Sequence, residues 1–277
     1  MTVLVNGWQT SDVRVADRGF QYGDGVFSTA LVRRGHPLFF SRHLARLEAD
    51  CRRLAIPFPD LSLLTVEANS LCRMRREGVL KLQITRGPGG RGYRMPDLAV
   101  PTRVLTIHPD PDYPHSLHEK GVEVRICNIR LGSNPALAGI KHMNRLEQIL
   151  ARAEWTDPEI REGLMLDREG GVIEGTMSNI FLIKDGMFAT PKLDLCGVTG
   201  IMRALVMEGA SEQGRQVVER RMGLEEVREA DELFLTNSVI GIWPIRRIGS
   251  RDYPVGPLTR KLMQWLAVRV QEESAAA

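Results

Sequence analysis

The chain is punctuated by hairpin signals, and these limit its architecture most. Val3 to Val5 runs into Asn6-Gly7, Val26 to Val32 and Pro37 to Phe40 flank Arg33-Arg34-Gly35-His36, and Asn179 to Lys184 meets Met187 to Ala189 at Asp185-Gly186. Short apolar runs separated by Asn-Gly or Asp-Gly read as antiparallel strand pairs, because such turns need residues that tolerate positive φ. Further strands are expected at Val79 to Thr85, Arg103 to Ile107, Val122 to Cys127, Gly163 to Leu166, Val172 to Glu174, Val217 to Glu219, Glu232 to Leu235 and Ile242 to Arg246.

Helical periodicity is confined to a few stretches. Ser41 is placed as the N-cap of a helix whose Leu44, Leu47, Cys51 and Leu54 keep one face apolar until Pro57 and Pro59 end it. Other helices are expected at Leu61 to Arg76, Ile201 to Glu212 and Leu258 to about Gln271. At 277 residues the chain is long for one core. The run HPDPDYPH, residues 108–115, has the composition of a linker. The expected fold class is α+β in two domains: a small sandwich-like N-terminal domain over 1–110, a linker over 111–120, and a larger, mainly β, barrel-like domain over 121–277.

Composition removes several functions. A net charge of +3 makes any positive field local, which suits small anionic ligands better than nucleic acid. Cys51, Cys72, Cys127 and Cys196 are scattered, with no CxxC or Cys/His ligand spacing, so a reducing compartment and no metal centre are expected. The N-terminal MTVLVNGWQ lacks a charged segment followed by an apolar one, and no apolar run reaches membrane-spanning length, so the protein is read as cytoplasmic. GxSxG and HExxH are missing, and His108, His115 and His118 fall in or beside the linker as surface residues.

Within NPALAGIKHMNRLEQILARAEW, residues 134–155, Lys141 stands just before a periodic segment. Leu146, Ile149, Leu150 and Ala153 recur at i, i+3, i+4 and i+7, which predicts an inward-packed face and a lysine at a helix mouth. Desolvation there would favour the neutral amine, a nucleophile or base, whereas a solvated lysine would do nothing of the kind. Glu174 ends a strand where backbone would meet a cleft. Gly197-Val198-Thr199-Gly200 precedes a helix, a setting for an anion or simply for a Thr cap. Arg46 lies off the apolar stripe of the first long helix, and Thr236-Asn237-Ser238 closes a strand with polar groups. The glycine-rich RGPGGRGY, residues 86–93, carries guanidinium groups that can grip carboxylates, or is a surface loop.

Lys141 in GIKHMNRLEQIL, Glu174 in VIEGTMSNIFL, GVTGIMR at 197–203 and the N-terminal FQYGDGVFSTALV together resemble the fold type IV pyridoxal-phosphate enzymes. Within them RGPGGRGY, LAGIKHMNRLEQ and GDGVFSTA are most similar to the aminodeoxychorismate lyases, and the likeness spans nearly the whole chain. The resemblance implies a small α+β domain and a larger pseudo-barrel domain carrying the cofactor lysine, assembled as a homodimer. It implies an aldimine between Lys141 and pyridoxal 5′-phosphate (PLP), Glu174 at the pyridine nitrogen, and Arg46, Val198, Thr199 and Ser238 at the phosphate. Asn237, Arg91 and Tyr93 fall on the substrate side, and Thr29 or Lys141 itself is the proton donor. The implied reaction splits 4-amino-4-deoxychorismate into 4-aminobenzoate and pyruvate, a step of folate synthesis. The related activity is transamination of a branched-chain or D-amino acid. Aminotransferase relatives place a tyrosine shortly after the lysine; here Asn144, Arg145 and Leu146 follow.

Overall fold

The computed structural model describes residues 2–275, which fall into two compact units. The first comprises the described residues of Met1–Asp112, Lys141–Asn144 and Val270–Ala277; the second comprises Tyr113–Ile140 and Arg145–Arg269. The break falls inside the expected linker. Lys141, expected in the larger C-terminal domain, groups with the first unit instead, because its segment pairs with a strand of that unit.

The first unit runs β1 (Thr2–Val5), β2 (Trp8–Gln9), α1 (Arg18–Tyr22), β3 (Gly25–Arg33), β4 (His36–Pro37), α2 (Phe40–Arg53), α3 (Leu61–Met74), β5 (Gly78–Thr85) and β6 (Thr102–His108). The strands form one antiparallel sheet in the order β2-β1-β6-β5-β3-β4. Strand alternation sorts its residues. Val26, Ser28, Ala30 and Val32 of β3 and Leu80, Leu82 and Ile84 of β5 are buried, while Phe27, Thr29, Leu31, Val79, Lys81 and Gln83 stand half-buried on the opposite face. The turns take the strained backbone their residues suit, with φ of 51° at Asn6 and 86° at Gly7. Ser41 does not cap α2. The helix starts two residues earlier than such a cap would set it, at Phe40 after Phe39 in left-handed geometry, and the Phe39 N–H donates to Glu273 Oε1 at 2.9 Å.

The second unit runs α4 (Ser116–Lys120), β7 (Val122–Leu131), α5 (Leu146–Arg152), β8 (Ile160–Asp167), β9 (Val172–Gly175), β10 (Asn179–Lys184), β11 (Met187–Pro191), α6 (Ile201–Glu212), β12 (Val217–Arg220), α7 (Leu224–Arg228), β13 (Glu232–Asn237), β14 (Gly241–Ile248), β15 (Arg251–Asp252) and α8 (Pro257–Ala275), the last belonging to this unit up to Arg269. Its sheet orders β12-β11-β10-β13-β14-β7-β8-β9, with β15 on β14. The β7 strand pairs in parallel with β8 and β14, and β11 with β12; the other pairs are antiparallel. The two edges approach each other. Val172 of β9 donates its N–H to the Met222 carbonyl just beyond β12 at 2.8 Å, so the sheet curls into a barrel-like form and little edge is left unpaired. Leu164, Leu182, Leu235, Trp243 and Ile245 fill its core.

The periodic stripe after the lysine does not pack inward. Leu146, Ile149 and Leu150 are 72%, 61% and 56% exposed, Ala153 is exposed too, and α5 buries Ala151 instead.

Candidate active site

The backbone of Lys141 is held from two sides. Residues 141–143 lie along β3 beyond the reach of β4: the Phe27 N–H donates to the Lys141 carbonyl at 3.0 Å, the Met143 N–H to the Gly25 carbonyl at 2.9 Å, and Val26 bridges His142. The Lys141 N–H donates in turn to Asp50 Oδ2 on α2 at 3.1 Å. Lys141 therefore lies beside an isolated bridge to β3, not at a helix mouth. Its Nζ lies 4.5 Å from the centre of the Phe27 ring, on the half-buried face of the sheet.

Asp50 belongs to a polar face of α2 that it shares with His43 and Arg46, at i, i+3 and i+7. His43 is 1% exposed, and its Nδ1 lies 2.6 Å from Ser28 Oγ. Arg46 Nη2 donates to the same oxygen at 2.7 Å, so the Ser28 hydroxyl joins the guanidinium to the His43 ring. Burial pushes the His43 pKa down to about 3, reinforced by the charges of Arg46 and Lys141. Arg46 is lowered to about 10, again by burial, with Asp50 opposing; it stays a cation at neutral pH. Its Nε is buried with no hydrogen-bond partner among the described residues. A buried guanidinium with an unspent N–H suits a multiply charged anion such as a phosphate ester. Asp50 is raised by burial, which outweighs the Lys141 N–H and the Arg46 charge.

In the second unit Glu174 is 4% exposed near the end of β9. Its Oε2 accepts the Val198 N–H at 2.8 Å. The Thr199 N–H donates to the Gly139 carbonyl at 3.0 Å, Gly139 donates to Gly197 at 2.9 Å, and Asn179 Nδ2 donates to the Val198 carbonyl at 2.9 Å. The 197–199 turn thus already uses the N–H groups of Val198 and Thr199 internally. What it presents is the exposed Thr199, followed by the start of α6, whose first N–H groups have no partner within the helix. Burial lowers the pKa of Arg145 while Glu174 and Glu147 oppose, so its charge sits in the field of Glu174. Glu162 organises the turn after β9. Only 1% exposed, it accepts the N–H groups of Gly163, Thr176 and Met177 at 2.9, 3.0 and 3.1 Å, the Ser178 hydroxyl at 2.8 Å and the Thr176 hydroxyl.

Residues 25–248 match the family described as amino-transferase class IV. The chain belongs to the class IV aminotransferase family. Its relatives in that family differ in chemistry. An aminodeoxychorismate lyase from Vibrio harveyi is 38% identical over 93% of this chain and 97% of its own length. A putative branched-chain-amino-acid aminotransferase from Methanocaldococcus jannaschii is 31% identical, covering 95% of this chain and 94% of its own. The crystal structure of 4-amino-4-deoxychorismate lyase from Pseudomonas aeruginosa superposes with a TM-score of 0.93 at 47% identity, over 96% of this chain and 98% of that one. The fold is that of the class IV enzymes.

Not every residue singled out in this class IV chain is equally available to a ligand. Asn237 ties its own turn, accepting the N–H groups of Val239 and Ile240 at 2.8 and 2.9 Å and donating to the Met177 carbonyl at 3.0 Å; Ser238 follows it, half-buried. The base of the 86–93 loop is stapled. Arg86 makes a bidentate pair with Asp24 at 2.7 and 2.9 Å, Arg18 pairs with the same carboxylate at 2.8 Å, and Arg18 also donates to the carbonyls of Gly92, Tyr93 and Arg94. Beyond this staple Arg91 and Tyr93 are exposed, with the Tyr93 ring edge-on to Tyr22 at 5.5 Å. Thr29 stands half-buried on the face of Phe27. Sequence reasoning missed Phe27, Ser28, His43, Asp50 and Glu162. The spacing of His43, Arg46 and Asp50 was the available signal for the α2 face.

Proposed function

We propose that this protein is a PLP-dependent lyase that converts 4-amino-4-deoxychorismate to 4-aminobenzoate and pyruvate. The observation that carries the reading is the match to the Pseudomonas aeruginosa lyase at 47% identity across nearly both chains; the Vibrio harveyi lyase, at 38%, likewise exceeds the 31% of the aminotransferase relative. In this reading Lys141 bonds the cofactor through Nζ and Glu174 faces the pyridine nitrogen. Arg46, the Thr199 hydroxyl and Ser238 would hold the phosphate, whereas the N–H of Val198, which the resemblance also assigns there, is given to Glu174. The unspent Nε of the buried Arg46 supports the phosphate assignment.

When bound, PLP supplies an electron sink for the pair left as the substrate's C4–H bond breaks. Lys141 Nζ, as the free amine kept close by the backbone bonds to Phe27 and Asp50, would remove the C4 proton. The C3–O bond then breaks, the ring becomes aromatic, and the Lys141 ammonium or the Thr29 hydroxyl protonates the departing enolpyruvyl group. Asn237, Arg91 and Tyr93 are assigned to the substrate side.

We further infer a homodimer in the cytoplasm. The exposed apolar stripe of Leu146, Ile149 and Leu150 on α5 is a surface that a second copy would cover. Four buried free cysteines suit a reducing compartment, and among the described residues no helix is long and apolar enough to cross a membrane.

The test is an assay with PLP-loaded protein, aminodeoxychorismate and no keto acid. Equal amounts of 4-aminobenzoate and pyruvate are expected. Transamination of amino acids with no release of 4-aminobenzoate would transfer the protein to the aminotransferase side of its family.

A further inference from the structure

Lys81 is a cationic residue of the first unit's sheet to which the scheme above gives no role. It sits in the middle of β5, opposite Thr29 on β3 and Thr106 on β6. Residues directly across an antiparallel pair share a face, so Lys81 emerges beside Thr29 and Phe27, away from the face lined by Ser28, Leu80 and Leu82. Its Nζ lies 5.3 Å from the centre of the Phe27 ring, the ring over which the Lys141 Nζ lies at 4.5 Å. Two ammonium groups therefore address one aromatic side chain.

The setting is a poor one for a lysine with no ligand. Lys81 is half-buried, and among the described residues its ammonium has no hydrogen bond and no carboxylate partner, whereas Lys184 and Lys192 at the surface pair with Glu229 at 2.6 Å and Asp194 at 2.9 Å. Burial lowers its pKa. His108, across from Val79 and so diagonal to Lys81, is also lowered, by burial first and then by the charge of Lys81. The titratable neighbours of Lys81 named on this face, His108 and Lys141, are thus a base and a cation. An ammonium desolvated beside a second ammonium is stabilised when an anion joins both.

We propose that Lys81 is a substrate-binding residue, whose ammonium receives a carboxylate of the molecule whose amino group Lys141 handles. The inference rests on the lyase reading, in which the substrate carries two carboxylates, one on the ring and one on the enolpyruvyl group. Either fits the chemistry of Lys81. Both nitrogens lie against the one Phe27 ring, so that a single molecule can meet them both.

The experiment compares wild type, Lys81→Met and Lys81→Arg as PLP-loaded enzymes. Lys81→Met is expected to raise KM for aminodeoxychorismate at least tenfold, with a much smaller change in kcat, and Lys81→Arg to recover most of the loss. Borohydride should trap cofactor at Lys141 in all three. Competitive inhibition by 4-aminobenzoate, which keeps only the ring carboxylate, separates the two sources. Weakening in parallel with KM assigns the ring carboxylate, and unchanged inhibition with a raised KM assigns the enolpyruvyl one. An unchanged KM in Lys81→Met, or equal losses in Met and Arg, overturns the proposal while leaving the lyase reading intact. A wild type that traps cofactor but releases no 4-aminobenzoate overturns the lyase reading, and this inference with it. Should Lys81→Met fail to fold, acetylation of the wild-type enzyme decides instead. Substrate or 4-aminobenzoate should protect Lys81 from labelling, and labelling unaffected by either would reject the assignment.

Discussion

Asp50 on α2 accepts the backbone N–H of Lys141 at 3.1 Å, although 91 residues separate them. The carboxylate is buried, and burial raises its pKa although this bond opposes the rise. With the Phe27 N–H on the Lys141 carbonyl, it fixes the residue from which the reactive amine extends.

Replacing Asp50 tests this hold. Asp50→Ala removes the acceptor and leaves a partly buried N–H unsatisfied, a loss of about 1–3 kcal/mol. For a protein of this size that corresponds to a fall in Tm of several degrees, very roughly. Asp50→Asn keeps an oxygen for the N–H and should be milder. Beyond stability, the rate at which added PLP becomes trappable at Lys141 should drop in Asp50→Ala and be partly restored in Asp50→Asn. Equal trapping rates in all three proteins would show that the bond does not position the lysine.

The acid limb of stability should carry the signature of His43. Its pKa in the fold is about 3, against about 6.5 in an unfolded chain. The group is depressed, so as pH falls below about 6.5 the unfolded state takes up a proton that the folded state refuses, and stability declines until the pH nears the folded value. Across that window a single such group contributes a slope of about 1.4 kcal/mol per pH unit. His43→Asn, which can still meet the Ser28 hydroxyl, should unfold with a flatter dependence between about pH 6 and about pH 4. Denaturant melts at several pH values measure the slope directly, and identical slopes for wild type and variant would mean His43 is not held neutral.

The hairpins were legible because their chemistry is local: Asn6-Gly7, Arg34-Gly35 and Asp185-Gly186 all turn with positive φ. Glu174 near a strand end and the turn before a helix were each legible, but the Val198 N–H bond that joins them was not. What the sequence concealed depends on distant partners. The start of α2 is set at Phe39 by Glu273, 234 residues away, so Ser41 could not be excluded by inspection. Lys141 groups with the first unit because residues 141–143 borrow the edge of β3, which no periodicity reveals. Amphipathicity located the apolar side of the segment after Lys141 but not what that side meets, and the same pattern serves a core or an exposed face. His43 and Asp50 escaped because a buried polar face on a helix reads as solvated until the groups opposite it are known.

Arg46 should govern cofactor retention more than turnover. Its guanidinium is a buried cation with one N–H unspent and another on Ser28. Arg46→Ala should weaken PLP binding by about ten- to a hundredfold, the range of one or two charge-assisted hydrogen bonds. Arg46→Lys keeps charge but loses the forked geometry and should fall between. Equilibrium dialysis of PLP measures the loss, and turnover at saturating PLP should recover substantially. A variant that holds PLP as tightly as wild type would remove Arg46 from the phosphate.

The stripe on α5 offers the last prediction. Leu146, Ile149 and Leu150 together leave a large apolar area in water on a helix of seven residues, which a monomer gains nothing by exposing. A second copy covering it would bury that area at about 25 cal/mol per Å². Ile149→Asp places a charge there without touching the core of either unit, since the position is 61% exposed. Its Tm at high dilution should therefore stay close to that of wild type, while light scattering should show dissociation at concentrations where wild type is dimeric. If Ile149→Asp remains a dimer, the two copies meet elsewhere. If wild type is itself monomeric, the stripe has another purpose.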